Sequence, residues 1–124
     1  MRMSPLAAAT VLSLSFAPPA VAQPAQRVVT LYSFGFAPSP IQLAAGRPVT
    51  MVFANRSGSA HDFTAPGFFQ HAQILAGGPV GSEVELRPHE TRSITLIPAR
   101  GTYQAHCSHF LHTQMGMTDT IVVN

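Results

Sequence analysis

Apolar residues in this chain recur at every second position, in runs of no more than about eight residues that glycine or proline closes. The clearest run is 48–55, where Val49, Met51 and Phe53 share one face and Thr50, Val52 and Ala54 the other. Short runs rich in β-branched residues also occupy 27–34, 41–43, 60–64, 80–86, 91–97, 102–107 and 118–123. Gly77-Gly78-Pro79, Arg87-Pro88 and Arg100-Gly101 mark the junctions. Residues 35–40 read as a turn, because Pro38 and Pro40 cannot donate to a central ladder. Over 67–76, Phe68, Phe69, Ala72 and Leu75 fall at near-helical spacing, which leaves a short helix or an irregular loop there. Nowhere else in the mature chain is a helix longer than about ten residues compatible with the pattern. Seven or eight short strands with turn signals between them predict an all-β, two-sheet sandwich.

The first twenty-two residues stand outside that pattern. Met1-Arg2-Met3 leads into an apolar run from Leu6 to Ala17, and Ala20-Val21-Ala22 precedes a polar Gln23. A basic end, an apolar core of about a dozen residues and a small-x-small site are the parts of a secretory signal peptide. The run falls short of the roughly twenty apolar residues of a membrane span. Residues 1–22 are therefore expected to be a signal peptide cleaved after Ala22. Residues 23–124 would then be one exported, periplasmic domain.

Charge excludes one large class of partner. Only 10% of the residues are charged, and the formal charge of +2 falls to +1 when Arg2 leaves with the signal. No block of basic residues suits nucleic acid, and the weak charge offers no strong steering field. The single cysteine, Cys107, excludes an internal disulfide, a multi-cysteine zinc site and a cysteine-ligated iron–sulfur cluster.

Cys107 does not stand alone, however. It closes a strand, and His112 and Met117 follow at +5 and +10. Thiolate, imidazole and thioether form a soft donor set that selects copper over magnesium, calcium or manganese. A further ligand must come from elsewhere, and His61 is the best candidate. It follows a turn at the start of a strand, so it can project from the end of a sandwich. A trigonal His₂Cys set with a long axial methionine is the arrangement of electron-transfer copper sites. Met115, at +8, offers a second thioether.

The run Gly101-x-Tyr103-x₃-Cys107-x₄-His112-x₄-Met117, followed by Ile121, Val122 and Val123, resembles the cupredoxins, the plastocyanin/azurin-type blue copper proteins. Phe36-x-Pro38-x-x-Ile41, Gly46-x-Pro48-Val49 and a strand ending in Asn55 ahead of His61 agree with it. The resemblance spans essentially residues 27–124. It implies a Greek-key sandwich and one type 1 copper ion per chain, held by His61, Cys107, His112 and Met117. It also selects Met117 over Met115 as the axial ligand. The implied activity is one-electron transfer between redox partner proteins, with no substrate transformed. A monomer is the default state.

The resemblance further implies a hydrogen bond between the residue after the upstream histidine, Asp62, and the residue after the cysteine, Ser108. Asp62 departs from the asparagine common at that position. The loop also departs, with His109-Phe110-Leu111 where many relatives have proline before the histidine. His106-Cys107-x-His109-x-x-His112 is similar to the copper segment of multicopper oxidases. Ser108 replaces a histidine those enzymes need, no His-x-His pair exists, and one domain is too few for a trinuclear centre. His106 is expected to point away from the metal. His109 is expected on the loop surface, with a second, transient Cu(I) shared with Met115 as the alternative. His71 and His89 read as solvated. Phe68, Phe69, Phe110 and Leu111 read as core or as an apolar rim. The surplus His106, His109 and Met115 support the rival function, a copper carrier, chaperone or resistance protein working with copper-trafficking partners.

Overall fold

The two-residue alternation becomes two five-stranded sheets packed face to face. A computed structural model describes residues 1–18, 23–109 and 116–124. Its elements run β1 Ala25–Tyr32, β2 Gly35–Ala37, β3 Ile41–Leu43, β4 Val49–Asn55, β5 His61–Thr64, α1 Pro66–His71, β6 Gln73–Ala76, β7 Glu83–Leu86, β8 Thr91–Ile97, β9 Gly101–His106 and β10 Thr118–Val123. One sheet has the order β2-β1-β4-β8-β6, the other β3-β10-β9-β5-β7. Strands β1 and β4 run parallel, as do β3 and β10, and the remaining pairs are antiparallel. No helix among the described residues is long and apolar enough to cross a membrane. Residues 1–18 carry no regular structure, and their apolar side chains are exposed.

The core fills from the faces that the alternation assigned. Val49, Met51 and Phe53 of β4 meet Val29 and Leu31 of β1 and Ile94 and Leu96 of β8 in one layer. Ile41, Phe63, Leu86, Ala105 and Ile121 supply the opposite layer. Phe63 joins the two, with its ring centroid 4.8 Å from Phe53, 5.5 Å from Phe36 and 6.1 Å from Phe69. The last two contacts are edge-to-face, the orientation the ring quadrupoles favour. On β9 the Tyr103 hydroxyl donates to the carbonyl of Ala99 at 2.9 Å, pinning the turn that leads into the strand.

Two short elements differ from the expectation. Gly35–Ala37, read as part of a turn, is strand β2, paired with β1 at the sheet edge. The prolines that argued against a ladder begin at Pro38, just beyond it. The ambiguous stretch 67–76 divides into a helix and a strand. Pro66 opens α1, where its missing N–H costs nothing, and Phe68 and Phe69 pack into the core. Both phenylalanines are therefore core and do not form an exposed patch. Strand β6 then adds to β8 with a register irregularity between Ile74 and Ala76. It leaves through Gly77 at φ +69, where a Cβ would stand 2.6 Å from the carbonyl oxygen of Ser93. Only glycine fits that corner.

Candidate metal centre

A buried hydrogen-bonded corner delivers the first candidate ligand. Asn55, at the end of β4, is 1% exposed. Its Nδ2 donates to the carbonyls of Ser59 at 2.8 Å and Arg87 at 2.9 Å, and its Oδ1 accepts from the N–H of Ser57 at 3.0 Å. One side chain thus ties together a tight loop, and the loop starts β5 at His61.

His61 points into the sandwich and is buried, as are Cys107 and Met117. Cys107 follows β9 directly, and its N–H donates to the carbonyl of Met117 at 3.1 Å, clamping the two ends of the intervening loop. His61 Nδ1 lies 3.9 Å from Cys107 Sγ. Two donors bonded to one ion at about 2.0 Å (nitrogen) and about 2.3 Å (sulfur) would show such a separation at a near-trigonal angle. Among the predicted ligands the structure thus brings His61 and Cys107 together and fixes the backbone of Met117 against Cys107. His112 and Met115 lie outside the described residues, as do Phe110 and Leu111.

The cysteine sits in surroundings that serve a thiolate only once its proton has gone. Burial raises the Cys107 pKa above the ordinary thiol value, partly countered by the backbone N–H groups of Asp62 and His109. The Asp62 N–H points at Sγ from 3.5 Å. In the metal-free chain the thiol keeps its proton, and a bound cation would replace it.

The anticipated bond between Asp62 and Ser108 is present. The Ser108 N–H donates to Asp62 Oδ1 at 2.8 Å, the Ser108 hydroxyl donates to Oδ2, and the Thr64 hydroxyl donates to Oδ1 at 2.9 Å. Asp62 is wholly buried, so its carboxylate joins the strand carrying His61 to the segment leaving Cys107. That is how a ligand-adjacent residue outside the coordination sphere can fix ligand orientation.

The remaining histidines separate by position. His106 is half-buried and precedes Cys107, on the other face of β9. His71 ends α1 with Nδ1 2.7 Å from the carbonyl of Gly67, and exposed His89 sits in a turn at φ +60. His109 binds Glu85 of β7, its Nε2 2.9 Å from Oε1. Glu83 and Glu85 were missed by the sequence reading. Their strand alternation was visible, but only the β5–β7 register shows that Glu85 stands opposite Asp62.

The family model described as cupredoxin-like domain matches residues 5–123. The chain belongs to the cupredoxin-like family. Among solved structures, this cupredoxin-like chain is similar to sodium-dithionite-reduced auracyanin from Roseiflexus castenholzii. That match has 18% identity and a TM-score of 0.61, covering 80% of this chain and 96% of the other. It is also similar to auracyanin A, a "blue" copper protein from Chloroflexus aurantiacus. Here identity is 22% and the TM-score 0.59, covering 82% of this chain and all of the other. A multicopper oxidase from Campylobacter jejuni matches at 12% identity and a TM-score of 0.63, covering 88% of this chain but 32% of the oxidase. No curated protein matches the sequence. These structural likenesses fall below 25% identity and speak to the fold, a cupredoxin sandwich.

Proposed function

We propose that this cupredoxin-like chain is an exported blue copper protein that carries single electrons between partner proteins. The observation that carries the reading is the buried pair of His61 and Cys107, with the Cys107 sulfur facing the N–H of Asp62. Cys107, His61, His112 and Met117 would hold the copper ion. Copper held there supplies a Cu(II)/Cu(I) couple.

The protein's own contribution is rigidity and exclusion of water. His61 opens β5 and Cys107 directly follows β9, adjacent strands of one sheet. The Asn55 corner holds one side and the Asp62–Ser108 bonds the other, so neither donor needs to move when the charge on the ion changes. Burial of both donors and of Met117 keeps solvent from competing for the ion. The mature protein would be residues 23–124, working in the periplasm as a monomer. The multicopper oxidase likeness extends to the fold of one domain, and Ser108 still lacks the imidazole a trinuclear centre requires.

Asp62 gives the reading a specific test. A carboxylate beside the thiolate favours the more positive oxidation state of the ion. The copper-loaded protein should show one reversible one-electron wave in voltammetry. The conservative Asp62→Asn change should move its midpoint upward, on the order of tens of millivolts at an effective dielectric near 20. A wave that stays in place would remove Asp62 from the account. The absence of any reversible wave, together with more than one chelator-exchangeable Cu(I) per chain, would instead favour copper carriage.

A further inference from the structure

Strands β5 and β7 set two acids directly opposite each other, Asp62 against Glu85, and Thr64 opposite Glu83. Like charges in directly opposed positions of an antiparallel pair are destabilising. All three acids lie on the outer face of the sheet, since Phe63, Val84 and Leu86 between them point into the core. Burial, followed by the charge of Asp62 and a bond to Glu85, raises the Glu83 carboxyl above its ordinary value. The Arg92 guanidinium donates to the backbone carbonyl of Glu85 at 3.3 Å.

His109 leans over this face. Its Nε2 is 2.9 and 3.1 Å from the two Glu85 oxygens and 3.7 Å from Asp62 Oδ2. One donor atom from each of Asp62, Glu85 and His109 falls within a 4.8 Å span. The side chain of Asp62 is 1% exposed, that of His109 30% and that of Glu85 46%, so the cluster is anchored on one side and open on the other.

We propose that Asp62, Glu85 and His109 form a second metal site, distinct from the Cys107 centre, that takes a borderline divalent transition ion such as Zn²⁺. The donor chemistry selects the class. One imidazole with two carboxylates suits zinc and its neighbours, whereas calcium and magnesium favour sets made of oxygen alone. The open side at Glu85 leaves room for water or an outside ligand to complete a tetrahedron. An ion there would neutralise the opposed acids. It would also communicate with the first centre, because the Asp62 carboxylate that binds it accepts the Ser108 N–H next to Cys107. By linkage, whatever that ion does to the copper couple, the couple does in return to the affinity for the ion.

The site needs neither Cys107 nor His112 nor Met117, so its test is separable from the copper reading. Copper-loaded protein is titrated calorimetrically with Zn²⁺ while the visible spectrum is recorded, and the titration is repeated on Cys107→Ser chain loaded with no copper. The expected result is one Zn²⁺ per chain, bound without loss of colour in the copper-loaded protein. Both Glu85→Gln and His109→Gln should weaken that binding at least tenfold in both backgrounds. No Zn²⁺ uptake beyond the copper centre, or uptake that both substitutions leave unchanged, would overturn the site and leave His109 as a simple partner of Glu85.

Discussion

Cys107→Ser protein should fold, and it should give no blue colour with Cu(II). The side chain is fully buried, and serine is close to isosteric with cysteine, so the cavity barely changes and the Asp62 N–H still meets an acceptor. Stability of the metal-free chain should fall by no more than about 1–2 kcal/mol, in line with a small change at a buried polar contact. The chemistry changes far more. A hydroxyl does not ionise near neutral pH and is a hard, weak donor, so the sulfur-to-metal charge-transfer band has no origin. Absorption spectroscopy beside a denaturant curve separates the two effects. A retained intense band would refute Cys107 as the ligand, and a chain that fails to fold would show that the cysteine serves the core.

The second large effect lies in the frame behind the site. Phe63→Ala should cost about 3–5 kcal/mol, the usual range for removing a buried aromatic ring. Phe63, on β5, is 0% exposed and touches Phe36 and Phe53 of the opposite sheet and Phe69 of α1. No neighbour can collapse into the space without abandoning another contact. For a domain of roughly 100 residues each kcal/mol moves the midpoint by about 4–8 °C, so the metal-free chain should melt more than ten degrees lower. Phe63 also follows His61 by two residues on β5, so the loss should loosen one ligand along with the core. A cost below about 1 kcal/mol in urea unfolding would mean that this ring does not tie the two sheets together.

What the sequence revealed follows from the range of each signal. Strand β4 was legible because Val49, Met51 and Phe53 alternate without interruption and face one core. Strands β2 and β6 were not, because β2 has only three residues and sits between turn-forming ones, while β6 follows a helix turn inside one apolar stretch. Their identity rests on partners distant in sequence, β1 and β8, which supply the hydrogen bonds. The centre divides in the same way. The proximity of His61 and Cys107 was anticipated from the turn ahead of His61 and from the resemblance, and the bond between Asp62 and Ser108 from the resemblance alone. Glu85 was not, since an acidic residue on an exposed strand face carries no local sign of what stands across from it. Asn55 appeared only as a strand end, although its side chain holds the loop that presents His61. His109 was anticipated on the loop surface, and its bond to Glu85 emerged only once β5 and β7 were in register.

The central claim is that Cys107 and His61 bind one copper ion as a thiolate centre. The visible absorption spectrum of the purified chain titrated with Cu(II) tests it most directly. An intense thiolate-to-copper band that saturates at one ion per chain and bleaches on reduction is the predicted result. A colourless titration, or only the weak bands of copper bound by nitrogen and oxygen, would contradict it.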